Sequence, residues 1–213
     1  MKNVKILSPE TVTISSEAVI GEGVVIYPNN HVLGKTVIGK GAVLLPNNIV
    51  EDSQIGEGAR LTASVVRGAV VGEGAEVGPF ANLRKGAVIG RGCRIGDFVE
   101  IKNAVIGEGT KVSHLTYIGD ADVGRRCNVG CGVVFCNYDG KNKYRTSVGD
   151  DCFIGSNVNL VAPVSVGDGS FVAAGTTVAK DVEEGVFVIG RVRQEQNARL
   201  AHKYCRGEER KDG

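Results

Sequence analysis

Aliphatic residues recur at every sixth position along most of the chain. Three runs hold this spacing without interruption: Ile14, Ile20, Ile26, Val32, Ile38 and Leu44; Val71, Val77, Leu83, Ile89, Ile95 and Ile101; and Val148, Ile154, Leu160, Val166, Val172 and Val178. A period of six matches neither an amphipathic helix nor one long alternating strand. It is typical of short strands joined by corners, each of which directs an aliphatic side chain into a shared interior.

The same spacing predicts how the strands stack. Between the three runs the phase slips by about one residue, while Ile49, Ile55 and Leu61 keep the step of six. Three strands close a triangular turn of 18 residues, and successive turns stack as parallel strands ~4.8 Å apart. Residues 14–178 therefore predict roughly nine or ten turns of an all-β parallel β-helix, which is stabilised by stacking because one turn cannot bury its own aliphatics.

Glycine follows the aliphatic residue in many repeats, and we expect it to supply the backbone angles that a tight corner needs. The positions are Gly21, Gly39, Gly56, Gly72, Gly90, Gly96, Gly107, Gly119, Gly130, Gly149, Gly155 and Gly167. Glycine makes up 31 of the 213 residues, aromatic residues make up 5%, and tryptophan is absent. This composition favours a narrow aliphatic core with many corners, since thick globular cores usually contain more rings.

Two segments interrupt the repeat. From Cys136 to Ser147 the sequence is polar and turn-rich, and Lys141 stands where an aliphatic is expected, so a loop insertion is predicted over about 136–147. The repeat ends after Gly190, and Gln194–Tyr204 has helical composition. We therefore expect a solenoid domain over residues 1–190 and, over 191–213, a short C-terminal helix that caps the coil, with a charged tail.

Charge and composition narrow the class of protein. Lysine plus arginine (25) nearly balances aspartate plus glutamate (24), which gives a formal net charge of +1 and argues against nucleic acid or a membrane surface as the main partner. No apolar stretch has the length of a bilayer span or a signal peptide, so a cytoplasmic protein is expected. The six cysteines form no Cys-x-x-Cys pair and have no histidines at ligand spacing, which favours free thiols over zinc or disulfides.

Spacing alone also indicates candidate chemistry. Arg84 and Lys102 are 18 residues apart and each follows a core aliphatic, so the coil places them on adjacent turns of one face. Two neighbouring cations repel unless an anion lies beside them. Either carboxylates such as Glu100 neutralise them or they bind a phosphate, and the sequence leaves both open. His114 lies between core positions 112 and 118, where an imidazole is either a wall residue or a base.

Several motifs give the chain a specific resemblance. Repeats of the form Ile-Gly-x-x-x-x resemble those of the left-handed parallel β-helix family, and we take the hand of the coil from that resemblance. The discriminating motifs are GPFANLR (78–84), GDFVEIK (96–102), HLTYIGDA (114–121), NVG (128–130) and CNYDGKNK (136–143). They resemble the acetyltransferase half of the bacterial bifunctional enzymes of UDP-N-acetylglucosamine synthesis, a hexapeptide-repeat acyltransferase family, over nearly the whole chain and most strongly over 78–191.

This resemblance implies transfer of an acetyl group from acetyl-CoA to the 2-amino group of glucosamine-1-phosphate, a step in UDP-N-acetylglucosamine and cell wall biosynthesis. By matching position, the general base would be His114, and the sugar phosphate would be bound by Arg84, Lys102, Tyr117, Asn128 and Lys143. The positions implied for acetyl-CoA are Cys131, Asn137, Tyr138, Ser156, Ala174 and Arg191, and the family usually has alanine at the first of them. The resemblance also implies a homotrimer with active sites between subunits and no required metal.

One part of the family pattern has no match. The resemblance does not extend to the family's N-terminal nucleotidyltransferase domain with its glycine-rich phosphate loop, because the solenoid begins within the first twenty residues. We therefore expect no uridyltransferase activity from this chain, and a separate nucleotidyltransferase partner is left open.

The chemistry needs only direct attack of a neutral amine on a thioester, with a neutral imidazole accepting the proton. Such a base typically contributes ~10²–10⁴-fold. An acyl-enzyme on Ser156 or Cys131 is the alternative route. The alternative functions are acetylation of another amino-sugar phosphate, a non-catalytic trimeric scaffold or regulatory subunit, and a metal enzyme like the carbonic anhydrases of the same solenoid class.

Overall fold

The computed structural model describes residues 3–197 and residue 200. Apart from the 3-10 turn Pro9–Thr11 and the single helical position Leu200, every regular element in this part of the chain is a short β-strand. The strands form a parallel β-solenoid of about ten turns, which confirms the predicted left-handed parallel β-helix. Its three flat sides are called wall 1, wall 2 and wall 3 in the order in which the chain passes through each turn.

The described part of wall 1 contains eleven strands. They are Lys5–Ile6, Val25–Ile26, Val43–Leu44, Arg60–Leu61, Glu76–Val77, Arg94–Asp97, Lys111–His114, Asn128–Val129, Phe153–Ile154, Phe171–Val172 and Phe187–Val188. Wall 2 is made by Thr13–Ile14, His31–Leu33, Ile49–Glu51, Val65–Arg67, Asn82–Leu83, the first parts of Glu100–Ile106 and Tyr117–Val123, Val134–Cys136, Asn159–Val161 and Thr177–Val178. Wall 3 is made by Val19–Ile20, Val37–Ile38, Gln54–Ile55, Val70–Val71, Val88–Ile89, the second parts of Glu100–Ile106 and Tyr117–Val123, Thr146–Val148 and Val164–Val166.

The phase slips of the repeat are absorbed at corners, and the strand register is kept. Leu61 pairs directly with Leu44 on one side and with Val77 on the other, although these neighbours are 17 and 16 residues away rather than 18. A shorter turn therefore has fewer corner residues, while the inward side chains still stack on one another.

Each wall directs a row of aliphatic side chains into the interior. The row of wall 1 is Ile26, Leu44, Leu61, Val77, Ile95, Val112, Val129, Ile154 and Val172, all of them buried. Full burial of one such side chain typically contributes about 1.5–3 kcal/mol. The continuous rows account for the strict spacing in the sequence, since a polar residue at an inward position would be cut off from water.

The glycines that follow the aliphatic residues serve a different purpose from the one expected. They do not have positive φ; instead, a Cβ at Gly39 would lie 2.7 Å from the backbone nitrogen of Glu57 on the next turn. The corner angles are supplied two residues later, as at Gly41 with φ of 65°. The repeated glycine is thus required because successive turns approach too closely for a side chain.

The segment between strands Val134–Cys136 and Thr146–Val148 leaves the coil as a small hairpin, closed by an antiparallel bridge between Tyr138 and Lys143. Arg145 anchors its base: the guanidinium donates to both carboxylate oxygens of Asp122, at 2.5 and 2.6 Å, and to the backbone carbonyl of Ala121 at 3.0 Å. The hairpin therefore carries its side chains along the corner between walls 2 and 3.

The C-terminal part of the chain contributes little to this description. Residues 194–197 have no regular structure, and most of the helix predicted over Gln194–Tyr204 lies outside the described residues. The proposed domain limits stay predictions. Within the described residues, no helix has both the length and the apolar character needed to cross a bilayer.

Candidate active site

His114 lies at the end of the wall 1 strand Lys111–His114, where the chain turns into wall 2. Asp97 ends the preceding strand in register with it, and the His114 Nδ1 atom lies 2.7 Å from the Asp97 Oδ1 atom. The hydrogen bond from His114 lowers the pKa of the Asp97 carboxyl group. The close stacking of these two strands depends on Gly96, where a Cβ would collide with the backbone carbonyl of Ser113.

The imidazole is accessible to a ligand. The His114 side chain is 61% exposed and borders an open groove of about 300 Å³ that also contacts Pro79 and Arg94. Arg94 is paired with Glu76, at 3.2 Å between its Nε atom and the carboxylate. The groove thus presents the imidazole edge to solvent rather than into the interior of the coil.

Most of the residues implied for acetyl-CoA continue from His114 along the same corner. Val112, Val129, Ile154 and Val172 stack in register on wall 1. Cys131, Ser156 and Ala174 each lie two residues beyond one of the last three of these core residues, and all three are exposed. The Arg191 guanidinium donates a hydrogen bond to the backbone carbonyl of Ala174. We call this corner, from Asp97 through His114 to Arg191, the histidine edge. Asn128 faces outward on wall 1 one turn beyond Lys111.

A second group of predicted site residues surrounds Asp120 at the opposite corner of wall 2. The Asp120 carboxylate accepts hydrogen bonds from the Asn103 and Asn137 amides, both at 2.5 Å. Lys102 and Lys143 lie nearby. Burial raises the pKa of Asp120, but the two amides and these two positive charges together lower it by more, so the pKa lies below its ordinary value. We call this group the lysine edge.

The remaining predicted residues of the lysine edge are placed by local sterics. Lys102 is in register with Gly119, where a Cβ would lie 2.7 Å from the Tyr117 ring and 2.8 Å from the Asn137 amide. Glycine therefore leaves the space in which that ring and that amide lie. Tyr138 is exposed on the hairpin, and its hydroxyl donates to the carbonyl of Gly140 at 2.6 Å.

The two cations predicted to stack on adjacent turns do so, but they have different partners. Arg84 directly follows the strand Asn82–Leu83, which pairs in register with the strand that carries Lys102. Arg84 forms an ion pair of 2.7 Å with Glu100, so the carboxylate alternative holds for Arg84. Lys143 lies beside Lys102 instead, and this contact, followed by the repulsion of the Lys102 charge, lowers the pKa of Lys143. The ammonium groups of Lys102 and Lys143 therefore lie close to each other and to the buried Asp120 carboxylate, where the hairpin meets the coil.

Within one chain, the predicted site residues form two groups, one at the histidine edge and one at the lysine edge. His114 ends a wall 1 strand just before the corner at Leu115, and Gly119, which is in register with Lys102, lies near the far end of the wall 2 segment that follows. Four residues lie between them, so the two backbone positions are at most on the order of 17 Å apart.

Two residues with direct contacts to this site were not assigned a role from the sequence. Asp97 and Asp120 both fall within the motifs quoted above, but no chemistry was given to either. The separation of 17 residues between Asp97 and His114 equals one turn of the coil there, and this was the signal from which their contact could be found. The contacts of Asp120 have no such signal, because they depend on how the hairpin folds back.

The cysteines carry free thiols among the described residues. Burial raises the pKa of Cys127 to about 11 and also raises the pKa of Cys93 and of Cys152. Residues 3–197 and 200 contain no group of three or more His, Cys, Asp or Glu side chains arranged to hold a metal ion.

Comparison with known families agrees with the repeats. The family described as "Bacterial transferase hexapeptide (six repeats)" matches residues 68–103, and "Hexapeptide repeat of succinyl-transferase" matches residues 145–180. Among solved structures, a UDP-N-acetylglucosamine acyltransferase from Arabidopsis aligns with a TM-score of 0.63 at 21% identity, over 86% of this chain and 71% of that one. This likeness shows the fold. The repeats and the fold together define a left-handed β-helix protein built from hexapeptide repeats, as the sequence predicts.

Relatives at higher identity narrow the family. The "Bifunctional protein GlmU" of Clostridium beijerinckii is 49% identical over 191 residues, which are 90% of this chain and 42% of the relative. The protein of the same name from Carboxydothermus hydrogenoformans is 53% identical over 193 residues, 91% of this chain and 43% of the relative. The chain is similar to this region of the GlmU proteins over about nine-tenths of its own length, which confirms the resemblance found in the sequence. It spans less than half the length of these relatives.

Proposed function

We propose that the protein transfers an acetyl group from acetyl-CoA to the 2-amino group of glucosamine-1-phosphate, giving N-acetylglucosamine-1-phosphate. The observation that carries this proposal is the placement of His114 at the head of the histidine edge, where it is exposed and, among the described residues, hydrogen-bonded through one ring nitrogen. The similarity to the GlmU region supports the reaction class, and the separate cluster of lysines suits a phosphorylated acceptor.

His114 serves as the general base in this reaction. Its Nδ1 atom is engaged with Asp97, so the Nε2 atom is the one that accepts a proton. The amine nitrogen attacks the thioester carbonyl, the N–C bond forms, and the surplus proton of the amine passes to Nε2. The C–S bond then breaks and the imidazolium returns a proton to the departing thiolate, so no covalent enzyme intermediate is required.

The donor is proposed to lie along the histidine edge. Cys131, Ser156 and Ala174 are small, exposed and spaced one turn apart, which leaves a shallow strip suited to the extended pantetheine arm of a CoA thioester. Arg191 supplies a cation at the far end of the strip for the phosphates of the nucleotide part. The oxyanion that develops on the carbonyl is proposed to be stabilised by a backbone N–H group at this corner.

The acceptor phosphate is proposed to bind at the lysine edge. Lys102 and Lys143 repel each other in the absence of a ligand, as the lowered pKa of Lys143 indicates. A phosphate placed between them relieves this repulsion, and Tyr117 then contacts the sugar. Arg84 joins the phosphate only by leaving or sharing Glu100, so its contribution is smaller than that of the two lysines.

The position of the two edges at opposite corners of wall 2 supports a site that draws them from different copies of the chain. We propose a homotrimer in which the histidine edge of one copy meets the lysine edge of the next. Phe80, Phe98 and Leu115 support this arrangement: they form a ridge beside His114, each 59% exposed, with the two rings stacked at 5.5 Å. Contact with a second copy would remove this apolar ridge from water.

The acceptor assay tests the proposal. Purified protein is incubated with acetyl-CoA and one of several amines: glucosamine-1-phosphate, glucosamine-6-phosphate, glucosamine or galactosamine-1-phosphate, and thiol release is followed. The expected result is a kcat/KM for glucosamine-1-phosphate at least about a hundredfold above that for glucosamine, because the phosphate contacts two cations. Equal rates with glucosamine would contradict the role of the lysine edge, and a preference for another phosphate would reassign the acceptor.

The cytoplasmic location of the protein stays a prediction.

A further inference from the structure

Asp97 and His114 form an isolated acid–imidazole pair at the mouth of the groove. They end neighbouring strands in register, and the 2.7 Å between Asp97 Oδ1 and His114 Nδ1 is typical of a charge-assisted hydrogen bond. Both side chains are partly in contact with solvent, at 40% and 61% exposure. A surface ion pair of this kind adds little to the stability of the fold. The carboxylate beside the proposed base is therefore better explained by an effect on the imidazole itself.

The chemistry of the two groups determines which nitrogen carries hydrogen. An ionised carboxylate can only accept hydrogen bonds. The Asp97 side chain is 40% exposed, and a carboxyl group with this access to water is ionised at neutral pH. The contacting Nδ1 atom must therefore be the N–H donor, which leaves the lone pair of the neutral ring on Nε2.

We propose that Asp97 is a positioning residue that fixes His114 in the Nδ1–H tautomer, so that Nε2 is the proton acceptor, and that stabilises the imidazolium formed during acetyl transfer. This inference rests on the proposed function for its catalytic part. The amine proton goes to Nε2, the Nδ1–H bond stays intact, and Asp97 takes up no proton at any step.

The other charged groups around the imidazole do not replace Asp97. On the strand Arg94–Asp97, Arg94 is engaged with Glu76 of the strand before it. On the strand Lys111–His114, Lys111 is three residues from His114 and faces outward on wall 1. On the following turn, the Cys131 thiol is the next side chain along the histidine edge. Among these groups, only Asp97 is hydrogen-bonded to the ring.

The first test reads the tautomer directly. Protein labelled with ¹⁵N at histidine is examined above the titration range of the ring by long-range ¹H–¹⁵N correlation, with His114→Ala used to assign the signals. The wild type is expected to show Nδ1–H, and Asp97→Asn is expected to lose this preference, since an amide can either donate or accept. Asp151→Asn is the matched control: Asp151 forms an exposed ion pair with Arg126 at a different corner of the coil. A wild-type ring in the Nε2–H form would overturn the proposal.

The second test separates positioning from a structural role. Asp97→Asn is expected to lower kcat by about ten- to a hundredfold with KM for both substrates changed by less than about threefold. A kcat equal to that of Asp151→Asn would refute the catalytic part. If the wild type acetylates none of the amines, the proposed function fails, while the tautomer measurement still decides whether Asp97 positions the ring.

Discussion

The two edges of wall 2 have the same backbone design and very different side-chain surroundings. Leu115 at the histidine edge and Asp120 at the lysine edge both turn the corner with positive φ, at 40° and 48°. At the histidine edge, the imidazole has one partner and the neighbouring positions of the strip carry small side chains. At the lysine edge, a buried carboxylate ties two amides and two cations together.

This difference indicates how each edge should respond to substitution. A change at the histidine edge removes one interaction and leaves the coil intact, because no other described side chain depends on the ring. A change at the lysine edge also affects the hairpin that carries Asn137 and Lys143. The histidine edge is thus suited to proton transfer and the lysine edge to binding, and kinetic measurements can separate the two.

The largest effect is expected from His114→Ala. Loss of the base should lower kcat by about 10²–10⁴-fold, while the melting temperature and the oligomeric state stay as in the wild type, since the side chain is exposed. Steady-state kinetics and circular dichroism provide the measurement. His31→Ala is the matched control, because His31 is also exposed and lies on a distant turn, where its ring is hydrogen-bonded to the Thr13 hydroxyl at 3.2 Å. A turnover number close to wild type would remove the histidine edge from the mechanism.

A smaller effect, on binding only, is expected from Lys143→Met. The pKa of Lys143 lies below the ordinary value of 10.5 because of Lys102, so its positive charge is present at neutral pH and is lost earlier than usual as the pH rises. In the wild type, KM for the phosphorylated acceptor should therefore rise with alkaline pH. In Lys143→Met, KM should be about tenfold higher at neutral pH and its alkaline rise should be weaker. Lys141→Met, two residues away on the same hairpin, should behave as wild type, and a KM that is equal in both variants would argue against a phosphate at this edge.

The sequence predicted the fold better than the site, for a physical reason. Inward positions such as Leu83 and Ile101 face a repetitive interior, so their spacing alone determines the coil. Outward side chains are not constrained in this way. The sequence placed Arg84 and Lys102 on adjacent turns, but it could not decide that Arg84 pairs with Glu100 while Lys102 lies beside Lys143.

The role of the repeated glycine shows the same limit from another side. The sequence indicated that glycine was needed at Gly39 and its equivalents. A positive φ angle and a close approach of the next turn would both place glycine at these positions, so the sequence cannot distinguish the two causes. Only the position of the neighbouring turn separates the two causes. Similarly, the hydrogen bond from Asn137 to Asp120 at the lysine edge forms because the hairpin folds back onto the coil. The six-residue period does not predict such a contact.

The central claim is that each active site combines the histidine edge of one copy with the lysine edge of another. Co-expression of His114→Ala with the double variant Lys102→Ala/Lys143→Ala, each with its own affinity tag, allows mixed trimers to be purified and checked by native mass spectrometry. Each mixed trimer then contains one intact site out of three, so the account predicts about a third of the wild-type activity from two parents that are nearly inactive alone. Mixed trimers no more active than their parents would contradict it.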